Sequence, residues 1–147
     1  MNADDLRAAV CSEARRWIGT PWHHRARVRG AGVDCAQLLL AVYTEVGLLQ
    51  PGQGDPGAYP MDWHLHRDDD RFLRGMLACG RPVEVPQPGD AALFKFGRVA
   101  SHAAIVLEPG VIVHAYAPDG AVVISDLSTS GHLAERLVSH FTLIPTT

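Results

Sequence analysis

Apolar residues recur at helical spacing in two stretches of the first half of the chain. From Asn2 to about Trp17 they form one stripe, with charged side chains off it, which predicts an amphipathic helix. A second apolar run begins at Cys35, keeps helical spacing as far as Val46 and meets a stop signal at Gly47. The pattern therefore predicts two helices that each bury one face.

After about Pro82 the pattern changes to short apolar runs separated by Pro and Gly turn signals, which is typical of an antiparallel meander. The elements predicted after the second helix are a third helix (Arg67–Cys79), four strands (Ala91–Phe96, His102–Leu107, Val111–Tyr116, Val122–Ile124), a short helix (Leu133–His140) and a closing strand (Phe141–Ile144). Helices first and strands second favour an α+β fold, with N-terminal helices packed on a central antiparallel sheet of about five strands. We expect a single domain over residues 1–147.

Composition narrows the function classes. The chain has 147 residues, 47% of them hydrophobic, and a formal charge of −3, so neither a nucleic-acid partner nor an anionic membrane surface is expected. No apolar run reaches the roughly 18 residues of a membrane span. The first residues, Met1–Asp5, are polar and acidic, which is unlike a secretory signal. Cys11, Cys35 and Cys79 lie far apart, which argues against a disulfide framework or a zinc knuckle.

The most informative stretch is the glycine-rich loop that runs into Cys35. Asp34 is a good N-cap, so Cys35 should begin a helix just past the cap. The helix dipole and the free amides there would favour a thiolate and lower the pKa of the thiol. The same amides could hold an oxyanion formed when the sulfur attacks a carbonyl. The alternative is a small buried hydrophobic residue, which is how we interpret Cys11 and Cys79.

The loop from Trp22 to Val33 carries five basic or histidine side chains and leads directly to Cys35. It should line the approach to the thiol, although a solvated basic loop fits the composition equally well. The residues concerned are His23, His24, Arg25, Arg27 and Arg29.

Two other histidines fall on strands that a short hairpin joins. His102 begins one predicted strand and His114 lies in the next, so the pair should be close together on the sheet and face the Cys35 helix. A thiol nucleophile needs a base of this kind, and a further polar group to orient that base. His64 and His66 are a weaker pattern, because a metal site needs more ligands than these two.

Together these pieces resemble the NlpC-type cell-wall endopeptidases, a papain-like family of cysteine peptidases. The matching segments, in order, are Ile18–Trp22, Gly32–Cys35, Pro88–Phe94, Ser101–Ile105 and Val113–Ala115. The resemblance implies a papain-like fold with Cys35 as nucleophile, His102 as general base and acid, and His114 as the residue that orients His102. It gives Asp34 a supporting role and the Cys35 amide a part in an oxyanion hole.

The chain departs from the family pattern at two places near the cysteine. Trp22 occupies the position of a tyrosine in many members, and its indole N–H donates but cannot accept. Ala36 and Gln37 replace the usual small residues, often Ser-Gly. Trp22, His24 and Ser101 are expected to bind substrate or to support the site.

Tyr59–Trp63 and the closing Phe141–Pro145 resemble a compact branch of the family encoded with phage tails and gene transfer agents. That likeness implies a peptidoglycan stem peptide as substrate, tail-tip or baseplate hub proteins as partners, and no metal or cofactor. It also implies synthesis in the host cytoplasm, carriage on the virion tail and action in the periplasm.

The sequence leaves several functions open. The leading hypothesis is an endopeptidase that cuts an amide of the stem peptide through a thioester. A catalytically weak structural subunit of the tail tip with the same fold is the main alternative. An acyltransferase that passes the thioester to an amine is a third. A zinc protein built from His23, His24, His64 and His66 is the most distant.

Overall fold

The two N-terminal helices form as the apolar pattern predicts. In the computed structural model, which describes residues 1–53, 75, 78–97 and 99–146, helix α1 covers Ala3–Arg15 and α2 covers Cys35–Glu45. Asn2 closes a capping box with Asp5 at the start of α1. Asp34 caps α2, because its side chain accepts from the Gln37 amide. Both caps explain why each helix begins where it does.

The second half of the chain forms a six-stranded antiparallel sheet. Its strands are β3 (Arg81–Val83), β4 (Ala91–Phe96), β5 (Val99–Glu108), β6 (Val111–Tyr116), β7 (Ala121–Asp126) and β8 (Leu137–Thr142). A 3₁₀ turn covers Ala117–Asp119 and a short helix, α3, covers Gly131–Ala134. Two further strands, β1 (Arg27–Val28) and β2 (Gly32–Val33), lie in the first half of the chain. The order in the main sheet is β3-β8-β4-β5-β6-β7, and β1 pairs with β2 in a separate two-stranded ribbon. The α+β class and the antiparallel sheet are confirmed.

The last predicted helix is wrong over most of its length. Leu133–His140 was expected to be helical, but helix α3 ends at Ala134 and β8 begins at Leu137. The strand pairs on one side with β3 and on the other with β4, so ladder hydrogen bonds to distant segments outweigh the local helical pattern. Strands β1, β2 and β3 were not predicted. The predicted third helix, Arg67–Cys79, lies mostly outside the described residues, although Gly75, Ala78 and Cys79 are helical.

Two apolar clusters cover the two faces of the sheet. One packs α1 and α2 against alternate sheet residues such as Ala103, Ile105 and Val113. It includes Cys11, which is buried as predicted. The other lies on the opposite face, where Phe94, Tyr116 and the α3 residue Leu133 pack together. Alternation along β5 and β6 therefore assigns neighbouring residues to opposite sides of the sheet.

The segment leading to the Cys35 loop closes one edge of the sheet. The Gly19 amide donates to the Val122 carbonyl, and the Trp22 amide donates to the Gly120 carbonyl. These bonds pair the free edge of β7 with the chain just before the basic loop. Gly32 is required by a close approach, because a Cβ there would lie 2.9 Å from the Cβ of His23. Among the described residues, no helix has the length and apolar character to cross a membrane.

Candidate active site

Asp34 joins the start of α2 to the basic loop. One carboxylate oxygen accepts from the Gln37 amide at 2.9 Å and the other from the Arg25 amide at 2.8 Å. Arg25 has a left-handed backbone, with φ of 62°, so this hydrogen bond helps to hold an unfavourable conformation. The result is a fixed N-terminus for α2, with the half-buried Cys35 as its first residue.

The Cys35 sulfur packs against the beginning of β5. The thiol donates to the Ser101 carbonyl oxygen at 3.9 Å, and the Ala103 amide also points at the sulfur. The sulfur therefore lies against the backbone on both sides of His102. In the resting structure its hydrogen-bond partner is this carbonyl, and not an imidazole nitrogen.

The expected low pKa of the thiol is wrong for this structure. Burial raises the pKa of Cys35 well above its ordinary value, and the negative charge of Asp34 raises it further. The amides of Ala103, Ala36 and Cys35 act in the opposite direction but do not outweigh burial. The resting sulfur is therefore a neutral thiol.

His102 and His114 form a direct hydrogen-bonded pair, as their placement on neighbouring strands suggested. His102 Nε2 lies 2.8 Å from His114 Nδ1. Burial lowers the pKa of His114 to about 4, and burial together with the adjacent His114 lowers the pKa of His102 well below 6.5. Both rings are therefore neutral at pH 7, and one proton is shared between Nε2 and Nδ1.

The imidazole pair lies on the sheet face that carries the second apolar cluster. His102 contacts the rings of Phe94, Phe96 and Tyr116 at centroid distances of 5.7, 5.6 and 5.6 Å. Tyr116 also stacks on His114 at 4.8 Å with an interplanar angle of 17°. Cys35 packs instead against the helix-side cluster. The Cys35 sulfur thus contacts backbone atoms of Ser101 and Ala103 at the start of β5, whereas the His102 ring packs on the sheet face away from the helices. The sequence suggested an imidazole facing the helix.

Ser125 extends the histidine pair to a third strand, and the apolar pattern of the sequence did not point to this residue. Its Oγ lies 2.9 Å from His114 Nε2. The predicted strand ended at Ile124, but β7 continues to Asp126, and alternation then turns Ser125 to the same face as Val123, which is the partner of His114. Once β7 is known to reach Asp126, the strand period of two assigns Ser125 to the face of the histidines.

The basic loop is held to α2 through Gln37. The Arg27 Nε donates to Gln37 Oε1 at 2.8 Å, so the residue that departs from the family pattern is a buried anchor for the loop. Trp22 and His24 are both half-buried in this loop, whose backbone bonds to Val33 through the His23 amide. Ser101 is buried, its hydroxyl donates to the Phe96 carbonyl at 3.2 Å, and its own carbonyl receives the thiol.

A metal centre was the most distant hypothesis from the sequence. Within the part of the chain that the structure describes, no group of three or more His, Cys, Asp or Glu side chains could hold a metal ion. Two of the four candidate histidines, His64 and His66, lie outside the described residues, as do Tyr59–Trp63.

The architecture matches that of solved NlpC/p60 domains. The NlpC/p60 domain of the peptidoglycan hydrolase SagA aligns with a TM-score of 0.61 at 20% identity, over 92% of this chain and 97% of that one. The fold is that of an NlpC/p60 domain. The P60 domain of an antigen from M. avium subspecies paratuberculosis gives a TM-score of 0.61 at 18% identity, over 98% of both chains.

The chain spans less than half the length of one solved protein with this fold. A lipoprotein-like NLP/P60 protein from Staphylococcus aureus gives a TM-score of 0.68 at 21% identity, over 97% of this chain but 43% of that one. No family model and no curated protein matches the sequence. The NlpC/p60 likeness therefore concerns the fold, and the chemistry must be argued from the residues.

Proposed function

We propose that this protein is a cysteine endopeptidase that hydrolyses an amide bond of peptidoglycan stem peptides through a thioester. The observation that carries the proposal is the position of Cys35, half-buried at the N-terminus of α2 and packed on the strand that bears the His102–His114 pair. The peptidoglycan hydrolase SagA has a domain of the same fold, which supports this substrate class.

The reaction assigns one step to each group. His102 Nδ1 takes the thiol proton while the Cys35 sulfur attacks the scissile carbonyl carbon. The tetrahedral intermediate expels the amine, which receives the proton from His102, and a thioester remains on Cys35. Water, deprotonated by His102, then attacks the thioester and breaks the carbon–sulfur bond. The carboxylic acid leaves, and His102 returns the proton to the Cys35 sulfur. Amides at the start of α2, including that of Cys35, stabilise the oxyanion.

The neutral thiol and the neutral imidazole define the resting state in this scheme. Because both pKa shifts favour the uncharged forms, the thiolate forms only during attack and no ion pair precedes substrate binding. The thiol must first leave the Ser101 carbonyl and turn toward His102 Nδ1. A bound substrate that occupies the space beside Ser101 would drive this change.

We further propose that the enzyme is carried on the tail of a phage or phage-like particle. In this role it is made in the host cytoplasm, binds tail-tip or baseplate hub proteins and cuts the wall in the periplasm. The support is the resemblance of Tyr59–Trp63 and Phe141–Pro145 to the tail-encoded branch. Co-purification with tail-tip proteins from intact particles tests this part separately from the chemistry.

The decisive experiment compares the wild type with Cys35→Ala on purified sacculi and on defined muropeptides. Wild type is expected to release soluble muropeptides, and mass spectrometry of the products identifies the bond that is cut. Cys35→Ala should fall to background while keeping its circular dichroism spectrum, and Cys79→Ala, a matched change outside the site, should remain active. Equal release by the wild type and Cys35→Ala would refute the mechanism.

A catalytically weak structural subunit is the second candidate, and one observation favours it. The Cys35 thiol is bonded to the Ser101 carbonyl and has a raised pKa, as expected of a thiol without a catalytic role. Wild type that binds sacculi but releases nothing would support this candidate. Products that carry an added amine in place of a new carboxylate would instead identify an acyltransferase.

A further inference from the structure

We propose that Ser125 is a positioning residue that accepts a hydrogen bond from His114 Nε2–H and thereby supports the protonated form of His102. The inference deepens the proposed function and rests on it. Its basis is a continuous chain of hydrogen bonds across three strands, with His102 Nε2 to His114 Nδ1 at 2.8 Å and His114 Nε2 to Ser125 Oγ at 2.9 Å.

When His102 is protonated, the hydrogen bonds from His102 through His114 to Ser125 can donate in one direction only. Once His102 has taken the thiol proton, both of its ring nitrogens carry hydrogen, so Nε2–H must donate to His114 Nδ1. A neutral His114 that accepts at Nδ1 carries its own proton on Nε2. That N–H then needs an acceptor, and the Ser125 hydroxyl oxygen is the atom at hydrogen-bonding distance.

Burial makes this acceptor important. His114 is fully buried, so a lost partner at Nε2 would leave an unpaired N–H inside the protein. The Tyr116 hydroxyl is engaged elsewhere, because the Tyr116 ring stacks flat on His114 and its oxygen lies 3.2 Å from His132 Nε2. Ser125 is therefore the hydroxyl that completes the chain.

The register of β6 and β7 fixes this contact. His114 pairs with Val123, and Ser125 lies two residues further along β7, on the same face and diagonal to His114. The Ser125 side chain is thus held by the sheet ladder rather than by a loop. A small hydroxyl at this point of β7 orients His114 without adding a charge.

The test compares Ser125→Thr with Ser125→Val, a pair of β-branched variants that differ only in a hydroxyl and a methyl group. Ser125→Ala is measured beside them. Muropeptide hydrolysis by Ser125→Ala and Ser125→Val should show kcat lowered by roughly tenfold to a hundredfold with little change in KM, since an unpaired buried N–H arises mainly when His102 is charged. Ser125→Thr should keep most of kcat.

A spectroscopic readout makes the result independent of activity. Long-range ¹H–¹⁵N spectra at neutral pH should show the Nε2–H tautomer of His114 in the wild type and in Ser125→Thr, and a mixture of tautomers in Ser125→Val. Ser139→Ala is the matched control, because the Ser139 hydroxyl is buried with no hydrogen-bond partner among the described residues. An unchanged tautomer and an unchanged kcat in Ser125→Val would overturn the proposal. The wild type could hydrolyse nothing while the His114 tautomer still changes in Ser125→Val. This result would retain the hydrogen-bond role of Ser125 and reject the proposed function.

Discussion

At the scale of single residues, the candidate active site combines a thiol that resists ionisation with two imidazoles that resist protonation. The Cys35 thiol, His102 and His114 are all shifted toward their neutral forms, and burial is the largest cause for each. Three hydrogen-bonding groups can share a buried position at low cost only if they remain uncharged and paired. The hydrogen bonds to Ser101, between the imidazoles and to Ser125 supply that pairing.

The depressed pKa of His114 predicts a pH-dependent stability. The pKa falls from 6.5 in the unfolded chain to about 4 in the folded protein, so the unfolded state binds more protons between these values. The free energy of unfolding is therefore highest above pH 6.5 and decreases as the pH falls toward 4. We expect His114→Asn to reduce that slope by about 1 kcal/mol per pH unit.

Urea unfolding at several pH values between 5 and 7 measures this slope. Ile112→Val is the control, since it truncates a buried neighbour on β6 without removing a titrating group. We expect it to lower stability at every pH while leaving the slope intact. A wild-type slope that His114→Asn leaves unchanged would contradict the buried neutral imidazole.

At the scale of elements, the local parts of the site were predictable from sequence and the non-local parts were not. Asp34 as the cap of α2 depends on neighbours within a few residues, so the loop-to-helix pattern was sufficient. The bond from His114 to Ser125 depends on where β7 ends, and the pairing of β8 depends on β3 and β4. Those contacts are decided by the tertiary fold, which a local pattern does not encode.

The face of the imidazoles is a second example of this limit. The sequence placed His102 and His114 on adjacent strands, and their hydrogen bond agrees with that. It did not determine that Ala103 would face the helices while its neighbour His102 contacts Phe94 and Tyr116 on the opposite face. Which alternate residues of β5 face the helices is decided by the packing of the whole sheet.

Asp34 gives a prediction at the junction of the loop and α2. Asp34→Asn removes the negative charge that helps to raise the Cys35 pKa, so the thiol should ionise at lower pH. It also loses one of the two carboxylate acceptors, for the Arg25 or the Gln37 amide, at a cost of roughly 1–2 kcal/mol. Alkylation of Cys35 at fixed pH should be faster than in the wild type, measured by mass spectrometry in a Cys11→Ala/Cys79→Ala background.

The matched control is Asp5→Asn, which removes a capping carboxylate from the first turn of α1. It should leave the alkylation rate of Cys35 at its wild-type value, because the charge belongs to the other helix. Slower alkylation in Asp34→Asn would mean that the loop anchor, and not the charge, governs access to the sulfur.

At the scale of the whole molecule, an ion pair on α1 and a hydrogen bond from α2 tie the two helices to the turn before β4. Arg7 on α1 donates to Asp90 at 2.9 Å and to the Pro88 carbonyl at 3.0 Å, while Tyr43 on α2 donates to the Gly89 carbonyl at 2.9 Å. Gly89 has φ of 92°, and a Cβ there would lie 3.3 Å from the Arg7 Cα. The Pro-Gly-Asp turn thus joins both helices to the beginning of β4.

The Arg7–Asp90 pair predicts that removing the Asp90 carboxylate lowers the stability of the protein strongly. The Asp90 side chain is 1% exposed, so Asp90→Ala leaves Arg7 with a largely buried and unpaired charge, at a cost of about 3 kcal/mol or more. The Arg16–Glu13 pair has an Arg16 side chain that is 55% exposed, and Arg16→Ala should cost well under about 1 kcal/mol.

A double-mutant cycle of Arg7→Ala and Asp90→Ala, followed by urea unfolding, should give a coupling energy above about 1 kcal/mol. A stability loss for Asp90→Ala no greater than that for Arg16→Ala would show that the Arg7–Asp90 pair does not hold α1 to the sheet.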